Sequence, residues 1–594
     1  MGQHNEIAFE TELCEHLAAN GWLYSANDTG YDRQRALFPE DVFAWLEQTQ
    51  QDELAKILKP GMSLAAIEKA KNALLDRLAK VLNQSEPSGG TLFVLRRGFQ
   101  HVPASFSMLQ KKPELTGNET TEARYAANRV RVMRQVHYST KNQKSLDLVL
   151  FINGIPVATA ELKTDFTQNV RDAINQYRLD RKPAGEPLLA FGRTVVHFAV
   201  SNDEVWMTTK LAGEDTRFLP FNRGNNGHAG NAPDPSGLTS PTAYLWEEVW
   251  QHERWLEIIS KYVHYETVRS EDPVTGKKHK QYSLIFPRYH QLDVVTKLLD
   301  DVVQNGPGQR YLIQHSAGSG KTRSIAWSAH RLATLHTPDN EKVFDSVIVV
   351  TDRNVLDAQL QEAIKQIEAK EGFVATIDRR EAAKRSFTSK SKYLTATLRS
   401  GKAIIVVTIQ TFPHVLKALI ENKELQDRKF AVIADEAHSS QAGDFKDGLI
   451  KVLTGADPVA RAKTLADEEG VEPDIADILA ETAAAKAMTP NISFFAYTAT
   501  PKPKTLETFG TRYDEGDVPR PFHVYTMQQA IEEGFILDVL ANYTTYKTAF
   551  QLAERVKGGQ MRPLRVVDDS GELVDEAATV KGVLKWVRLH PTNI

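Results

Sequence analysis

Through residues 6–17 the apolar positions Phe9, Leu13 and Leu17 recur at helical spacing, which predicts an amphipathic helix with that stripe buried. Residues 52–83 repeat the pattern with a break near Pro60-Gly61, and read as one or two more packing helices. The pattern then shortens to strand-like runs at 91–95, 146–152, 156–162 and 195–200, with a helix over about 169–179, so a mixed α/β domain is expected. Gly, Asn and Pro crowd residues 213–241, where periodic apolar positions fail and a long loop is expected. An aromatic-rich helix is expected at 243–265, with Trp246, Trp250 and Trp255 docking one domain on the next. Beyond Tyr282, apolar runs at 311–314, 347–351, 404–408, 430–434 and 492–497 alternate with helical patterns, the signature of a parallel, doubly wound sheet with right-handed crossovers. Residues 456–488, rich in Ala, Asp and Glu, read as a solvated helical insertion in that alternation.

At 594 residues the chain exceeds what one core usually supports, and an α/β multidomain protein is expected. The pattern suggests a first domain at 1–245, a connecting helix at 246–282, a doubly wound domain at 283–525 and the start of another unit at 526–594. The hydrophobic fraction of 41% and charged fraction of 25% are those of ordinary globular chains. No apolar run is long enough to span a bilayer and the start has no signal-like segment, so the cytoplasm, with no membrane partner, is the expected setting. Cys14 is the only cysteine, which rules out an internal disulfide framework and a cysteine-rich zinc site in this chain. A net charge of -4 argues against coating nucleic acid by bulk positive charge. A local patch at Arg124, Arg129, Arg131, Arg134, Lys141 and Lys144 is one candidate contact, with a solvated helix face as the alternative.

The first chemistry lies in His315-Ser316-Ala317-Gly318-Ser319-Gly320-Lys321-Thr322, between a strand and a helix, the context a phosphate-binding loop needs. Gly318 and Gly320, with Ala317 and Ser319, would let backbone N–H groups curl around ATP phosphates. Lys321 would meet the β and γ phosphates, and the Thr322 hydroxyl would ligate Mg²⁺. His315 stands where the full pattern begins with glycine. Asp435-Glu436-Ala437-His438 closes a later strand, where Asp435 would hold Mg²⁺, Glu436 would polarise the attacking water and His438 would couple ATP to the nucleic-acid side.

With these motifs in order, residues 287–501 resemble superfamily 2 helicases and translocases, which implies a RecA-like lobe. The resemblance makes Gln291 the glutamine that reads adenine. It makes residues 347–360 and Thr408-Ile409-Gln410-Thr411-Phe412 contacts to a nucleic-acid backbone, and Thr498-Ala499-Thr500 the link between hydrolysis and motion.

A second constellation lies upstream. Asp147 and Glu161-Leu162-Lys163 bracket an apparent hairpin with Asn153-Gly154 at its turn. Strict two-residue pairing would set Asp147 against Ala160 and turn Glu161 away, so a one-residue irregularity near Pro156 is expected if the carboxylates are to meet. Assembled, Asp147 and Glu161 would bind one or two Mg²⁺ ions and Lys163 would position or activate water for phosphodiester cleavage. Acids and lysines at strand ends without any such role are the plain alternative.

The string resembles the D…E-x-K nucleases, and a domain of this kind before a superfamily 2 motor resembles the restriction (R) subunit of type I restriction-modification enzymes. Phe218-Leu219-Pro220-Phe221-Asn222, Gly230-Asn231, Tyr244-Leu245-Trp246 and Gly534-Phe535-Ile536-Leu537-Asp538 support the likeness over nearly the whole chain. It implies an ATP-dependent translocase and endonuclease acting on unmodified double-stranded DNA, with methyltransferase (M) and specificity (S) subunits as partners. That family often carries Q-x-x-x-Y after the nuclease lysine; here Gln176 is followed four residues on by Asp180, with Tyr177 adjacent, so the resemblance carries over Gln176 and leaves the tyrosine's place open. Glu10 is either a further carboxylate near the metal, as in related nucleases, or a surface acid. The resemblance also implies a second lobe bearing arginines, and no such motif occurs by Ile594. The chain therefore reads as a carboxyl-terminally truncated fragment that binds ATP but hydrolyses it poorly alone. A stand-alone superfamily 2 helicase with an accessory nucleic-acid-binding amino-terminal domain, and a non-enzymatic scaffold, are the competing readings.

Overall fold

The computed structural model describes residues 2–84, 88–164, 168–237, 239–271, 278–351, 355–367, 372–408, 411–435, 491–512 and 518–537. The expected insertion at 456–488 lies outside them. The chain separates into two compact units, Met1–Gln529 and Ala530–Ile594.

The first unit holds two seven-stranded sheets. Strands β1 (Leu23–Ser25), β2 (Val130–His137), β3 (Ser145–Ile152), β4 (Ile155–Leu162), β5 (Val196–Val200), β6 (Val205–Thr208) and β7 (Leu219–Pro220) lie side by side in chain order. β1 with β2 and β4 with β5 are parallel pairs, and the others are antiparallel. Helix α1 (Gly2–Ala19) buries Phe9, Leu13 and Leu17 as the periodicity requires. The second sheet contains β8 (Arg310–His315), β9 (Ser346–Thr351), β10 (Val374–Thr376), β11 (Ile404–Thr408), β12 (Phe430–Asp435), β13 (Ile492–Thr498) and β14 (His523–Tyr525), ordered β10-β11-β9-β12-β13-β8-β14. Every neighbouring pair is parallel. Such a sheet is covered on both faces, which is why its strands are unbroken apolar runs: Val347 and Val349 join one core, Ile348 and Val350 another.

Two expectations are corrected. Residues 91–95 are not a strand but the helix α2 (Thr91–Arg97), because Thr91, Leu92, Val94 and Leu95 bury one helical face; a short apolar run does not distinguish the two by periodicity. The aromatic segment is three short pieces, Leu245–Val249, His252–Glu257 and Ile258–Tyr262, the first and last wound as wide π turns, and the chain enters a hairpin at His264. Its tryptophans do dock elements together. Trp246 packs edge-on against Phe9, Trp250 against Phe198, and Trp255 lies 6.2 Å from Phe286 at the threshold of the second sheet. Among the described residues no helix is long and apolar enough to cross a membrane.

The basic stretch lies largely on β2 and its flanks, and the charges of Arg129, Arg131 and Arg134 are spent internally. Arg129 and Arg131 both grip the fully buried Asp41, Arg134 pairs with Glu10, and Lys144 pairs with Asp180.

Candidate functional site

All strands of the second sheet run the same way, so their carboxyl ends share one edge, where ligands bind in such sheets. Pairing places Thr351 beside Thr408, Asp435 beside Tyr497, Thr498 beside Gln314 and His315 beside Tyr525. The ends of five strands thus bring the proposed backbone-contacting threonines, Asp435 and the phosphate loop to one rim. Glu436, Ala437 and His438, like Ile409 and Gln410, lie outside the described residues.

The loop leaves β8 and enters α3 (Lys321–Ala333) through Gly318 and Gly320, with φ of 74° and 77°. A Cβ on Gly320 would stand 2.5 Å from Gln291 Nε2, so glycine is needed there for close approach as well as conformation. Its carbonyls are tied down from the start of α4 (Tyr289–Asn305): Arg288 donates to Gly318 O at 2.9 Å, His290 Nε2 to Ser319 O at 2.9 Å, and Gln291 Nε2 to Ser319 O at 3.1 Å. Gln291 Oε1 accepts the Arg288 N–H, leaving this side chain 1% exposed and engaged with the loop itself. The carbonyls are thus held away from the amino end of α3, the end of a helix that favours an anion.

In the first sheet the turn residues Asn153 and Gly154 both have positive φ, 48° and 80°, as a two-residue I′ turn demands. Beyond it the register shifts: Phe151 pairs with Pro156, but Leu150 pairs with Ala158 and Leu148 with Ala160. One extra residue sits on β4. Core membership shows the same break, since Ile155, Val157, Ala158, Ala160 and Leu162 all join one core and the parity changes between 157 and 158. Continued one step, that register puts Asp147 opposite Glu161, on the face away from this core. The irregularity expected from the sequence is present, beside Pro156.

Asp147 Oδ2 accepts the Leu162 N–H at 2.8 Å, and its Oδ1 lies 3.3 Å from Gln135 Nε2. Gln135 adopts φ 47° within β2 and also reaches Glu10 Oε2 at 3.3 Å. Glu10 is 5% exposed, so it is a buried carboxylate near Asp147 and not a surface acid. Lys163 Nζ pairs with Glu6 at 3.0 Å. Glu161 is fully buried, and burial, then Asp147, push its carboxyl well above the usual range against the pull of Arg181 and Lys163. One oxygen receives Arg181 Nε at 2.6 Å; the other, Oε2, is buried with no partner among the described residues.

Arg181 escaped the sequence reading. It closes the π turn Gln176–Asp180 and anchors its other end on Ser145 O at 2.7 Å, and a lone arginine after a helix carries no motif that would have marked it. Gln176 is half-buried and makes no hydrogen bond to Asp147, Glu161 or Lys163. Tyr177 is wholly buried, with its hydroxyl 2.7 Å from Thr159 Oγ1 and its ring against His197 and Phe218, the surroundings of a core residue.

Two family models match the chain: the type I restriction enzyme R protein N terminus over residues 3–216, and the SWI2/SNF2 ATPase over residues 290–558. A putative type I restriction enzyme MjaVIIIP endonuclease subunit of Methanocaldococcus jannaschii is 26% identical over 330 residues, 52% of this chain and 29% of that one. The type I restriction enzyme HindI endonuclease subunit of Haemophilus influenzae is 26% identical over 408 residues, 66% of this chain and 32% of that one. The SsaAORF53P endonuclease subunit of Staphylococcus saprophyticus is 22% identical over 558 residues, 91% and 48% of the two chains. The chain thus spans less than half the length of each of these relatives. The amino-terminal match and the ATPase match fall on the two sheets in order, and the chain is similar across both to type I restriction enzyme R subunits.

Proposed function

We propose that this chain is the motor and nuclease part of a type I restriction enzyme, which translocates double-stranded DNA with ATP and cleaves unmodified DNA with Mg²⁺. The reading is carried by the register shift in the β3–β4 hairpin, which aligns Asp147 with Glu161 two residues before Lys163, in a chain that also holds a tied-down phosphate loop. The first sheet is then a D…E-x-K nuclease domain within residues 1–245, with 246–282 the connector. Residues 283–525 are a RecA-like lobe, and 526–594 begin its partner.

A hard divalent ion suits the donors present. Mg²⁺ is commonly bound by one or two carboxylates completed by water and substrate phosphate, and Glu161 Oε2 is a buried carboxyl oxygen with no protein partner among the described residues. Asp147 and Glu161 would hold the ion, which when bound polarises the scissile phosphate. Arg181 fixes the Glu161 rotamer and Leu162 N–H fixes Asp147, while Lys163 would hold the attacking water and Gln176 would assist. At the motor site Lys321 would neutralise the terminal phosphates, Thr322 and Asp435 would hold the Mg²⁺ of ATP, Glu436 would orient water and His438 would signal to the DNA. Methyltransferase and specificity subunits would choose the site on DNA in the cytoplasm.

The test is paired substitution in the reconstituted complex. Lys163→Ala is expected to abolish cleavage while ATPase persists, and Lys321→Ala to abolish both. Cleavage by Lys163→Ala at the wild-type rate would make the amino-terminal domain a DNA-binding accessory to a helicase.

A further inference from the structure

The phosphate loop begins with an imidazole where its pattern has glycine, and that ring is 0% exposed. His315 Nε2 lies 2.9 Å from His523 Nδ1, and His523 Nε2 lies 2.9 Å from Asp293 Oδ2. The three come from three elements: the end of β8, the first residue of the edge strand β14, and the first turns of α4. They form a chain of hydrogen bonds from the surface of α4 to the root of the loop.

The direction of each bond follows from the ends. Asp293 stays ionised: burial opposes this, but the hydrogen bond from His523 Nε2 and the ammonium of Lys297, 2.7 Å away, hold its carboxyl below the usual range. A carboxylate only accepts, so His523 Nε2 carries a hydrogen. With a single proton on His523, its Nδ1 is bare and accepts from His315 Nε2–H, and His315 Nδ1 is left as a lone pair. His315 itself stays neutral, since burial and the neighbouring His523, His290, Lys321 and Arg288 all disfavour a charge on it. Tyr525 and Tyr497 complete the ring's surroundings. Its Nδ1 is buried with no partner among the described residues, as is Ser319 Oγ in the same loop. Two unsatisfied polar atoms in one eight-residue loop mark it as a conformation that gains by rearranging.

We propose that His315 is a positioning residue of the phosphate loop, its ring polarity set by Asp293 through His523 so that Nδ1 is a fixed hydrogen-bond acceptor, awaiting a donor when the loop closes on nucleotide phosphate. The chain also clamps the loop to β14, the last strand before residues 530–594, reinforced by Ser316 N–H donating to Tyr525 O at 3.0 Å. This rests on the nucleotide reading above, and a buried polar chain of this kind is effective only when every link is satisfied.

Two variants at position 523 separate polarity from packing. In His523→Gln, the amide oxygen accepts from His315 while its nitrogen donates to Asp293, so the direction of the chain is kept without a titratable ring. In His523→Leu the chain is cut. With a fluorescent ATP analogue and Mg²⁺, His523→Gln is expected to bind within about twofold of wild type, and His523→Leu about tenfold more weakly, the loss of roughly one buried hydrogen bond. Equal affinity in all three would overturn the inference, as would equal loss in both variants, which marks packing alone. Selective ¹⁵N-histidine labelling, with the His315 signal assigned by its absence in His315→Gln, reads the polarity even if His523→Leu does not fold. A protonated Nε2 and bare Nδ1 at neutral pH are expected, and the opposite tautomer refutes the proposal. A wild-type chain that binds no nucleotide refutes the nucleotide reading instead, and the ¹⁵N spectrum still decides the tautomer.

Discussion

In the second sheet all strands are parallel, so one edge collects every strand end and the loop that follows β8 arrives at it with the ends of β9, β11, β12 and β13. The first sheet mixes directions, and its carboxylates meet only because one extra residue on β4 changes which face Glu161 takes. One candidate site follows from the architecture, the other from a local defect in it. Their electrostatics differ likewise. The loop's carbonyls are bound from outside, at the end of a helix that favours an anion, whereas the acids of the first site are matched against arginines and a lysine already inside the protein. A site built on a defect is the more fragile of the two. Deleting Val149 from β3, beyond the shift, sets Leu148 against Thr159 and Asp147 against Ala160, leaves Glu161 on the other face from Asp147 and is expected to abolish cleavage, at a cost of about 10²-fold or more. Binding of Mg-ATP by the same variant, measured by fluorescence, is expected to be unchanged; retained cleavage would show that the register does not build the site.

The next largest effect concerns Arg181. Its guanidinium and the Glu161 carboxylate are both buried, and removing one partner of such a pair strands the other charge. Arg181→Met is expected to lower unfolding free energy by about 3 kcal/mol in urea, and adding Glu161→Leu to recover most of that loss. An additive double mutant would mean that the pair is not coupled. In the intact complex, Arg181→Lys is expected to keep the charge but weaken Mg²⁺ dependence of cleavage, because a single ammonium does not span Glu161 and Ser145.

How much of this could be read in the chain tracks the same contrast. The phosphate loop is contiguous, and the parallel strands are apolar runs that need no partner to be recognised, so β8, β9, β11, β12 and β13 fall where the pattern placed them. The short strands β10 and β14, three residues each, have no periodicity to show. The hairpin irregularity was legible because the Asn-Gly turn sets a register against which Asp147 and Glu161 are out of step. Arg181, Gln135 and the Asp293–His523–His315 chain were not, since each draws its meaning from residues distant in sequence. The helix at Thr91–Arg97 was misread because seven apolar and basic residues fit either period.

Acid is expected to loosen both sheets through buried neutral histidines. Burial pushes His197, in β5, down to about 3, and His330, in α3, down to about 4. The unfolded chain binds the proton first, near pH 6.5, so each contributes stability that is full above that value and is lost as pH falls toward the folded one. His197→Asn and His330→Gln should each flatten the fall of melting temperature between pH 6.5 and about 4. If only His330→Gln does so, the first sheet unfolds separately from the second.

The smallest effect is expected where the connector meets the motor. Arg323, two residues after Lys321, makes a two-pronged bridge to Glu266 on the hairpin strand His264–Glu271, with both bonds at 2.8 Å. Burial opposes ionisation of Glu266, but the Arg323 and His264 contacts outweigh it and hold the carboxyl at about 2. A depressed carboxylate contributes stability that is present above its ordinary value of 4.5 and lost as pH falls toward 2. Arg323 is 39% exposed, so water and salt screen most of that interaction, and Arg323→Ala is expected to cost less than about 1 kcal/mol, shrinking further in high salt. A larger, salt-insensitive loss, or a change in nucleotide affinity to match it, would mean that this bridge sets the start of α3 for phosphate and that the connector is part of the motor's site.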